Sequence, residues 1–264
     1  GVNIGKVVNS YKEKGQHQPH TSFLKTINIQ GMVKQSQTIL GRLSGFSKEN
    51  WVWDQQDKSP EVVLSTNLHA AYFHIDPVKG STGTAGVRGN KGFVDGEHYW
   101  EITFLEPPIG TSVMIGVGSR QALLHTSNFQ YIDLIGFDEH SWGLSYKGTT
   151  WHRGQHKQYC EPFFLQTTVI GVHLNLYDGT MSFYKDGEPL GVAFSDLHLV
   201  GEPLYPIISS TAALTEIEVG LRTCRYLSLQ EKCCAAIAKK LSSGADVEQL
   251  PLPSLLREHL KQLK

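Results

Sequence analysis

Short runs of β-branched and aromatic residues recur between residues 51 and 219, and turn-forming residues separate them. Runs of this length and composition predict β-strands. The clearest predicted strands are Val62–Leu64, Ala71–Ile75, Tyr99–Phe104, Val113–Val117, Ser141–Tyr146, Val169–Leu176, Met181–Tyr184, Leu204–Ser209 and Glu216–Val219. Many strands with little helix between them predict a mainly β region folded as an antiparallel β-sandwich.

Two Asp-Gly dipeptides, at positions 178–179 and 186–187, flank the run TMSFYK. Asp-Gly fits the positive φ angles of the tight turns that join antiparallel strands. We therefore predict three consecutive strands, joined by two such turns, between residues 175 and 194.

Glycine recurs at every third position from Gly80 to Gly92. The run is too short for a collagen helix and contains no proline. We interpret it as a mobile or tightly turned loop between strands.

Residues 1–48 are rich in Gln, Lys, Ser and Gly and show little periodicity. We predict an extended, partly disordered N-terminal extension with at most short elements around Phe23–Ile29 and Val33–Leu40.

The C-terminal residues differ from the β-rich region because apolar positions recur with a spacing of four. This stripe predicts an amphipathic helix, and its members are Leu229, Cys233, Ile237 and Leu241. Ser228 followed by Glu231 has the spacing of a capping box, and Gly244 lies in the region where the helix should stop.

A Leu-Pro-Leu-Pro step follows this helix at residues 250–253. Pro251 and Pro253 forbid helix through the step, and a second helix can begin at about Ser254. Such a tail suits a surface that binds other proteins, so we expect a protein that joins partners. The alternative is a helix that packs its apolar face on the sandwich.

The formal net charge of −1 provides no global attraction to nucleic acid. Residues 221–264 carry a net charge of +4 and the rest of the chain −5. We interpret the basic residues of the tail as a solvated helix face, and we expect no nucleic-acid partner.

The chain has four cysteines and no Cys-x-x-Cys pair, which favours free thiols in a reducing compartment and argues against structural zinc. No signal peptide or membrane-spanning run is evident. The first residue is Gly rather than Met, which is typical of a fragment of a longer protein. We expect no membrane partner and an intracellular location in the cytoplasm, the nucleus or both.

Catalytic motifs are absent from the sequence. The glycine-rich run lacks the Gly-Lys-Ser/Thr ending of a phosphate-binding loop. His152 and His156 are separated by four positions, but Gly154 lies between them and the Glu of a zinc-protease helix is missing. We therefore expect no enzyme activity, no cofactor and no metal, and a histidine-based hydrolase is the least favoured alternative.

Several motifs in the β-rich region resemble a SPRY domain. They are GEHYWE at residues 96–101, SWG at 141–143 and GTMSF at 179–183, within a wider match over about residues 50–220. The resemblance implies a SPRY-like β-sandwich over residues 49–221.

The tail, residues 222–264, resembles a SOCS box. The first helix matches that family at Leu229, Cys233 and Ile237, and this match implies an elongin-binding face. The second element implies a cullin-binding face, at Val247, Leu250, Pro251, Leu252, Pro253 and Leu256. His259 stands where an aromatic residue is usual.

Together the two regions resemble the SPRY domain-containing SOCS box proteins. This resemblance implies a non-catalytic substrate receptor of a cullin–RING ubiquitin ligase, which promotes ubiquitination and proteasomal degradation of its targets. The implied partners are elongin B/C, a cullin with its RING subunit, and a peptide segment of a protein substrate. The alternative is a protein-binding scaffold without ligase function.

The same resemblance implies a substrate site in loops of the sandwich, at Arg88, Ser119, Tyr131, Thr211, Ala212 and Ala213. The last three stand where the Gustavus-type members have Val-Trp-Gly, so their Asn-rich ligand is not assured here. Other interpretations stay open: Arg88 could pair with a carboxylate to hold a loop, Tyr131 could belong to the core, and the alanines could serve tight packing.

Overall fold

The structure, a computed structural model, describes residues 45–262 except residues 77, 166, 242 and 243. The predicted N-terminal extension therefore lies outside the described residues, apart from its last four. Within the described range the strands are β1 (Ser47–Lys48), β2 (Trp53–Lys58), β3 (Val62–Leu64), β4 (Ala70–Phe73), β5 (Ala85–Gly89), β6 (Glu97–Phe104), β7 (Val113–Gly118), β8 (Ser141–Ser145), β9 (Thr149–His152), β10 (Gln155–Gln158), β11 (Val169–Asn175), β12 (Thr180–Lys185), β13 (Glu188–Phe194), β14 (Tyr205–Ser210) and β15 (Thr215–Arg225).

These strands form two sheets whose paired strands run antiparallel. The first sheet has the order β13-β12-β11-β6-β15-β4-β3, and β1 pairs with β15. The second sheet has the order β10-β9-β8-β7-β14-β5-β2. The two inner faces share one apolar core, so the predicted antiparallel sandwich is confirmed.

Aromatic side chains dominate the sandwich core. Trp53, Trp100 and Phe183 are fully buried there. The ring of Trp51 lies 5.6 Å from that of Trp53 and 6.0 Å from that of Trp100, in edge-to-face arrangements. Burying each ring removes a large apolar area from water, and the edge-to-face geometry adds further stabilisation.

The predicted three-strand segment is present as β11, β12 and β13. Val172 pairs with Phe183 across β11 and β12, and Met181 pairs with Phe194 across β12 and β13. The second turn has positive φ at both central positions, 51° at Asp186 and 87° at Gly187. Those angles explain the Asp-Gly sequence of the turn.

The interpretation of Gly80–Gly92 as a loop is wrong for its centre. Residues 85–89 form β5, a fully buried strand between β14 and β2. A Cβ atom at Gly86 would lie 3.2 Å from the carbonyl oxygen of Leu124, and one at Gly89 would lie 3.1 Å from the Trp51 ring. These glycines permit close packing of neighbours against the strand, which composition alone could not distinguish from mobility.

The sandwich extends past its predicted limits at both ends. Strand β15 continues to Arg225, which pairs with Glu97 of β6, and Cys224 pairs with Ser47 of β1. The tail therefore begins after Arg225 rather than at Arg222, and residues 47–48 belong to the sandwich.

The described part of the tail contains helices α1 (Leu229–Lys240), α2 (Gly244–Glu248) and α3 (Ser254–Gln262). The predicted capping box is present, because the Ser228 hydroxyl accepts from the Glu231 amide at 3.2 Å and the Glu231 carboxylate accepts from the Ser228 amide at 2.8 Å. The second helix begins at Ser254 as predicted, whereas the short helix α2 was not expected from the sequence.

Candidate protein-binding surfaces

Helix α1 presents one apolar edge to solvent. Leu229 is 79% exposed and Cys233 is also exposed, while Cys234 and Ala238 on another side of the helix are buried. Ile237 is partly buried and packs against the inside of the tail. Of the three predicted elongin-binding residues, two are therefore available to a partner and the third also supports the tail itself.

The tail has a small apolar core of its own. Its buried members are Cys234, Ala238, Val247 and Leu260, with further apolar side chains packed around them. No sandwich residue belongs to this cluster, as far as the described residues show. The tail therefore folds its helices on each other instead of laying an apolar face on the sandwich.

The six predicted cullin-binding residues divide by exposure. Val247 is 0% exposed, so it supports the helices and offers no surface. Leu250, Leu252 and Leu256 are partly buried against the tail core, and Pro251 and Pro253 are exposed.

Leu255, which the sequence analysis did not select, is largely exposed beside this proline step. The pattern of residues 250–256 shows several apolar positions, and only the packing of α3 decides that Leu256 faces inward while Leu255 faces outward.

Three sandwich loops meet around Ser81. The Ser81 hydroxyl donates to the carbonyl of Thr211 at 2.6 Å, and the Tyr131 hydroxyl donates to the carbonyl of Ser81 at 2.7 Å. Tyr131 is exposed on this rim, so the alternative that placed it in the core is wrong. The structure thus brings together two of the predicted substrate-binding positions, Tyr131 and Thr211, through a serine that sequence reasoning missed.

Thr211 and Ala212 are themselves well packed. The Thr211 hydroxyl donates to the Ser112 carbonyl at 3.0 Å and accepts from the Ser112 amide at 2.9 Å. Ala212 is buried, and a Cβ atom at Gly110 would lie 2.8 Å from its methyl group. Tight packing therefore accounts for Ala212, while Ala213 is partly exposed at the rim.

The groups near this rim are mostly neutral hydrogen-bonding groups. The Ser112 hydroxyl donates to the Asp133 carboxylate at 2.7 Å. His74 is buried with its Nε2 atom 3.2 Å from the Ser210 carbonyl, and burial lowers the pKa of its imidazole. This lowering favours the neutral form of the imidazole.

Arg88 and Ser119 are buried and contact other parts of the sandwich. Arg88 is only 2% exposed, forms an ion pair with Asp57 and donates to the carbonyl of Ala122 at 2.8 Å. Arg120 donates to the same carboxylate at 2.7 Å. The carboxylate pairing left open for Arg88 is therefore present, and it holds the loop that follows β7.

Ser119 lies in the same loop and is also buried. Its hydroxyl accepts from the Gln121 amide at 3.1 Å, and its amide donates to the His140 carbonyl at 2.9 Å. Arg88 on β5 pairs with Ile207 on β14. Ile207 lies four residues before Thr211, so about 13 Å of strand separates the level of Arg88 from Thr211. The structure therefore separates Arg88 and Ser119 from the rim that contains Tyr131 and Thr211.

Two exposed apolar residues of this end of the sandwich have a left-handed backbone. Phe129 has φ of 60° and is 69% exposed, and Leu214 has φ of 62° and is 68% exposed. The Phe129 amide donates to Thr82 at 2.8 Å and the Leu214 amide donates to Phe73 at 3.0 Å, which fixes both conformations. This conformation costs a non-glycine residue about 1–2 kcal/mol, and nothing in the sequence indicates it.

The structure offers no candidate for metal or disulfide chemistry in the described residues. No group of three or more His, Cys, Asp or Glu side chains within residues 45–262 could hold a metal ion, and all four cysteines are free thiols. His152 and His156 stack on Trp142 and Trp151 respectively, each with ring centroids 4.5 Å apart. None of the helices described for the chain has the length and apolar character needed to cross a membrane.

Two protein-family models match this chain, one in each region. The SPRY domain family model matches residues 97–222, and the SOCS box model matches residues 226–261. The second match begins one residue after β15 ends, in agreement with the boundary in the structure.

Similar proteins have names that contain both of these domains. The chain is 38% identical over 212 residues to SPRY domain-containing SOCS box protein 3 of Xenopus laevis, covering 80% of this chain and 57% of that protein. It is 31% identical over 227 residues to SPRY domain-containing SOCS box protein 1 of Bos taurus, covering 79% of each chain. The chain thus spans little more than half the length of the Xenopus relative.

Among solved structures, the TRIM65 PSpry domain is similar with a TM-score of 0.52 and 21% identity, covering 77% of this chain and 99% of that one. At this level of identity the similarity supports the sandwich fold alone.

Proposed function

This chain belongs to the family of SPRY domain-containing SOCS box proteins, and we propose that it is the substrate-recognition subunit of an elongin B/C–cullin–RING ubiquitin ligase. It binds target proteins through sandwich loops and promotes their ubiquitination and proteasomal degradation. The observation that carries the proposal is the tail, which folds around its own core yet leaves Leu229 and Cys233 uncovered.

The exposed edge of α1 is the proposed contact for elongin B/C. A large exposed leucine with a small exposed neighbour four residues on is suited to helix-in-groove recognition. Leu229 would insert into the partner, and Cys233 would allow close approach. Ile237 contributes from its partly buried position and also links this edge to the tail core.

The proline step is the proposed contact for a cullin with its RING subunit. Pro251, Pro253 and Leu255 offer the exposed apolar surface. Leu250, Leu252 and Leu256 contribute partly, and the buried Val247 contributes by holding α2 against α3. In this arrangement, exposed residues that would bind the cullin alternate along the step with residues that support the tail core.

The proposed client surface is the rim around Tyr131, Ser81 and Thr211. Its hydroxyl and carbonyl groups are suited to an extended peptide segment of a protein substrate. Phe129 and Leu214 add exposed apolar side chains at the same end of the sandwich. Arg88 and Ser119 act indirectly by holding the neighbouring loop.

The chain itself is proposed to be non-catalytic, and ubiquitin transfer is assigned to the recruited partners. We place the protein inside the cell, in the cytoplasm, the nucleus or both, and four free thiols support a reducing compartment.

A pull-down with elongin B/C tests the proposal. The variant Leu229→Ala with Cys233→Ala should recover much less elongin than the wild type, because the exposed edge is removed without disturbing the tail core. Val192→Ala, which truncates an exposed apolar residue on sandwich strand β13, is the matched control and should behave like the wild type. Equal recovery by all three proteins would contradict the proposal.

Deleting residues 226–264 distinguishes the ligase subunit from a scaffold whose tail packs on the sandwich. The deletion begins after Arg225 because that residue still pairs within the sheet. A ligase subunit predicts a sandwich with nearly unchanged thermal stability, whereas a scaffold predicts a marked loss.

The same Leu229 variant offers a way to find clients. A receptor that binds its target without delivering it for ubiquitination should accumulate that target. Proximity labelling should then return proteins enriched with the variant over the wild type and lost again when Tyr131 is also replaced by Ala.

A further inference from the structure

The tail meets the sandwich through polar side chains. The contact, here called the joint, consists of Asp95, Glu97, Tyr177, Arg225, Glu231 and Lys232. Its sandwich members lie just before and at the start of β6 and in the turn after β11, and Arg225 ends β15. Glu231 and Lys232 lie in the first turn of α1.

Two chains of ion pairs cross the joint. Lys232 lies 2.8 Å from Asp95, and this lysine lowers the pKa of the Asp95 carboxyl. Arg225 lies 2.7 Å from Glu231 on the helix side and 3.4 Å from Glu97 on the sandwich side. Arg225, the last residue of β15, therefore connects Glu97 of β6 to Glu231 of the capping box of α1.

Three further contacts fix the direction in which the chain leaves the sheet. The Leu227 amide donates to the Tyr177 hydroxyl at 2.9 Å, and the Lys232 ammonium lies 5.7 Å from the Tyr177 ring centroid. A Cβ atom at Gly96 would lie 2.9 Å from the Tyr226 ring, so the glycine allows the linker to pass close to the sandwich. The Leu227 and Gly96 contacts involve different atoms from the ion pairs and act on the three-residue linker between β15 and α1.

The apolar cores do not contribute to this attachment. The tail core and the sandwich core share no member among the described residues. Burial of apolar surface therefore stabilises each region separately, and the angle between them depends on the joint.

We propose that the joint is an orientation lock, in which Asp95 and Lys232 act as positioning residues that hold α1 at one angle to the sandwich. The lock would fix the position of the client rim relative to the exposed edge of α1. A bound client would then face the recruited partners that transfer ubiquitin. This use of the lock rests on the proposed ligase function, whereas the fixed angle itself does not. Exposed ion pairs are weak and screened by salt, so the angle would be adjustable.

Distance measurements by double electron–electron resonance test the lock in the full chain. Nitroxide labels at Ser195→Cys on the sandwich and Glu258→Cys on α3 report the angle, in a background with Cys160→Ser and Cys233→Ser. Both labelling positions are exposed. We expect one narrow distance distribution for this background.

Lys232→Glu should at least double the width of that distribution, because it places two carboxylates against each other. Lys232→Arg should keep the narrow distribution, and adding Asp95→Asn to Lys232→Glu should narrow it again by removing the repulsion. Lys240→Glu, the same charge change on an exposed residue at the other end of α1, is the control and should have no effect.

Raising the salt concentration provides a test that needs no joint variant. Going from low to high ionic strength should broaden the distribution of the labelled background. An already broad distribution at low salt, or one unchanged by Lys232→Glu, would overturn the lock. Because this measurement uses no elongin, its failure is distinct from failure of the elongin pull-down.

Discussion

The sandwich and the tail bury their apolar side chains to very different extents. The sandwich core contains large rings such as Trp53, Trp100 and Phe183 that are wholly excluded from solvent. Among the described residues the tail core has four buried members, and Leu229 and Leu255 of the tail are largely exposed. Under the proposed function, a partner covers the exposed edge of α1 that Leu229 and Cys233 form.

Stability and the proposed recruitment of partners therefore rest on different parts of the chain. The sandwich carries strained residues at its rim on a large core, whereas the tail core depends on few contacts.

The largest expected effect is loss of a core ring from the sandwich. Phe183→Ala should lower the free energy of unfolding by about 3–5 kcal/mol, because it removes a fully buried ring and leaves a cavity. Chemical denaturation of the full chain measures this. Phe164→Ala, at an exposed ring, should cost less than about 1 kcal/mol. Similar losses for both variants would mean that the sandwich core is not the source of stability.

A core truncation in the tail should have a smaller and local effect. Leu260→Ala removes a buried member of the tail core and should destabilise the tail by about 2–4 kcal/mol. Amide hydrogen exchange should then accelerate across the tail helices and stay unchanged in the sheets. Acceleration that spreads through β6 and β15 would show that the two regions unfold together.

Relieving backbone strain at the rim should change stability and client binding in opposite directions. Leu214→Asn should raise the free energy of unfolding by up to about 1 kcal/mol, because Asn tolerates the left-handed backbone better than Leu. Loss of the exposed Leu side chain should at the same time reduce client recovery in proximity labelling. Thermal denaturation checks the first effect, and an unchanged or lower stability would argue against strain at this position.

The smallest effect concerns the start of α1 and its pH dependence. Hydrogen bonding from the Ser228 amide and hydroxyl, and the ion pair with Arg225, lower the pKa of Glu231 from 4.5 to about 2. A carboxyl with a lowered pKa in the folded state stabilises that state above pH 4.5 and loses the contribution as the pH falls toward 2. Wild-type α1 should therefore lose more protection between these values than the Glu231→Gln variant does.

A nuclear magnetic resonance titration of the Glu231 side chain checks this directly. Titration of Glu231 near 4.5 would contradict the described capping box and the pair with Arg225.

Much of the fold could be predicted from the sequence because its causes are local. The Asp186-Gly187 turn, the β-prone runs and the capping box each depend on neighbouring residues and appear as expected. The Asp178-Gly179 pair instead closes a four-residue connection between β11 and β12, in which only the glycine has positive φ. Strand β5 was missed because its glycines serve contacts with Leu124 and Trp51, which are distant in sequence.

The site was predicted less completely because orientation depends on packing. Helical spacing alone groups Leu229, Cys233 and Ile237, but the tail core decides which of them stay exposed. In the sandwich, the partner that occupies Arg88 is Asp57, thirty-one positions away. The left-handed backbone of Phe129 and Leu214 could not be predicted from residue type, since neither residue favours it.

Under the proposed function, the uncovered edge of α1 recruits elongin B/C and the sandwich takes no part in that contact. Isothermal titration of the full chain with purified elongin B/C tests it most directly. We predict saturable binding by the wild type and at least a tenfold weaker affinity, about 1.4 kcal/mol, for Leu229→Ala with Cys233→Ala. No binding by the wild type, or equal affinity for the two proteins, would contradict the account.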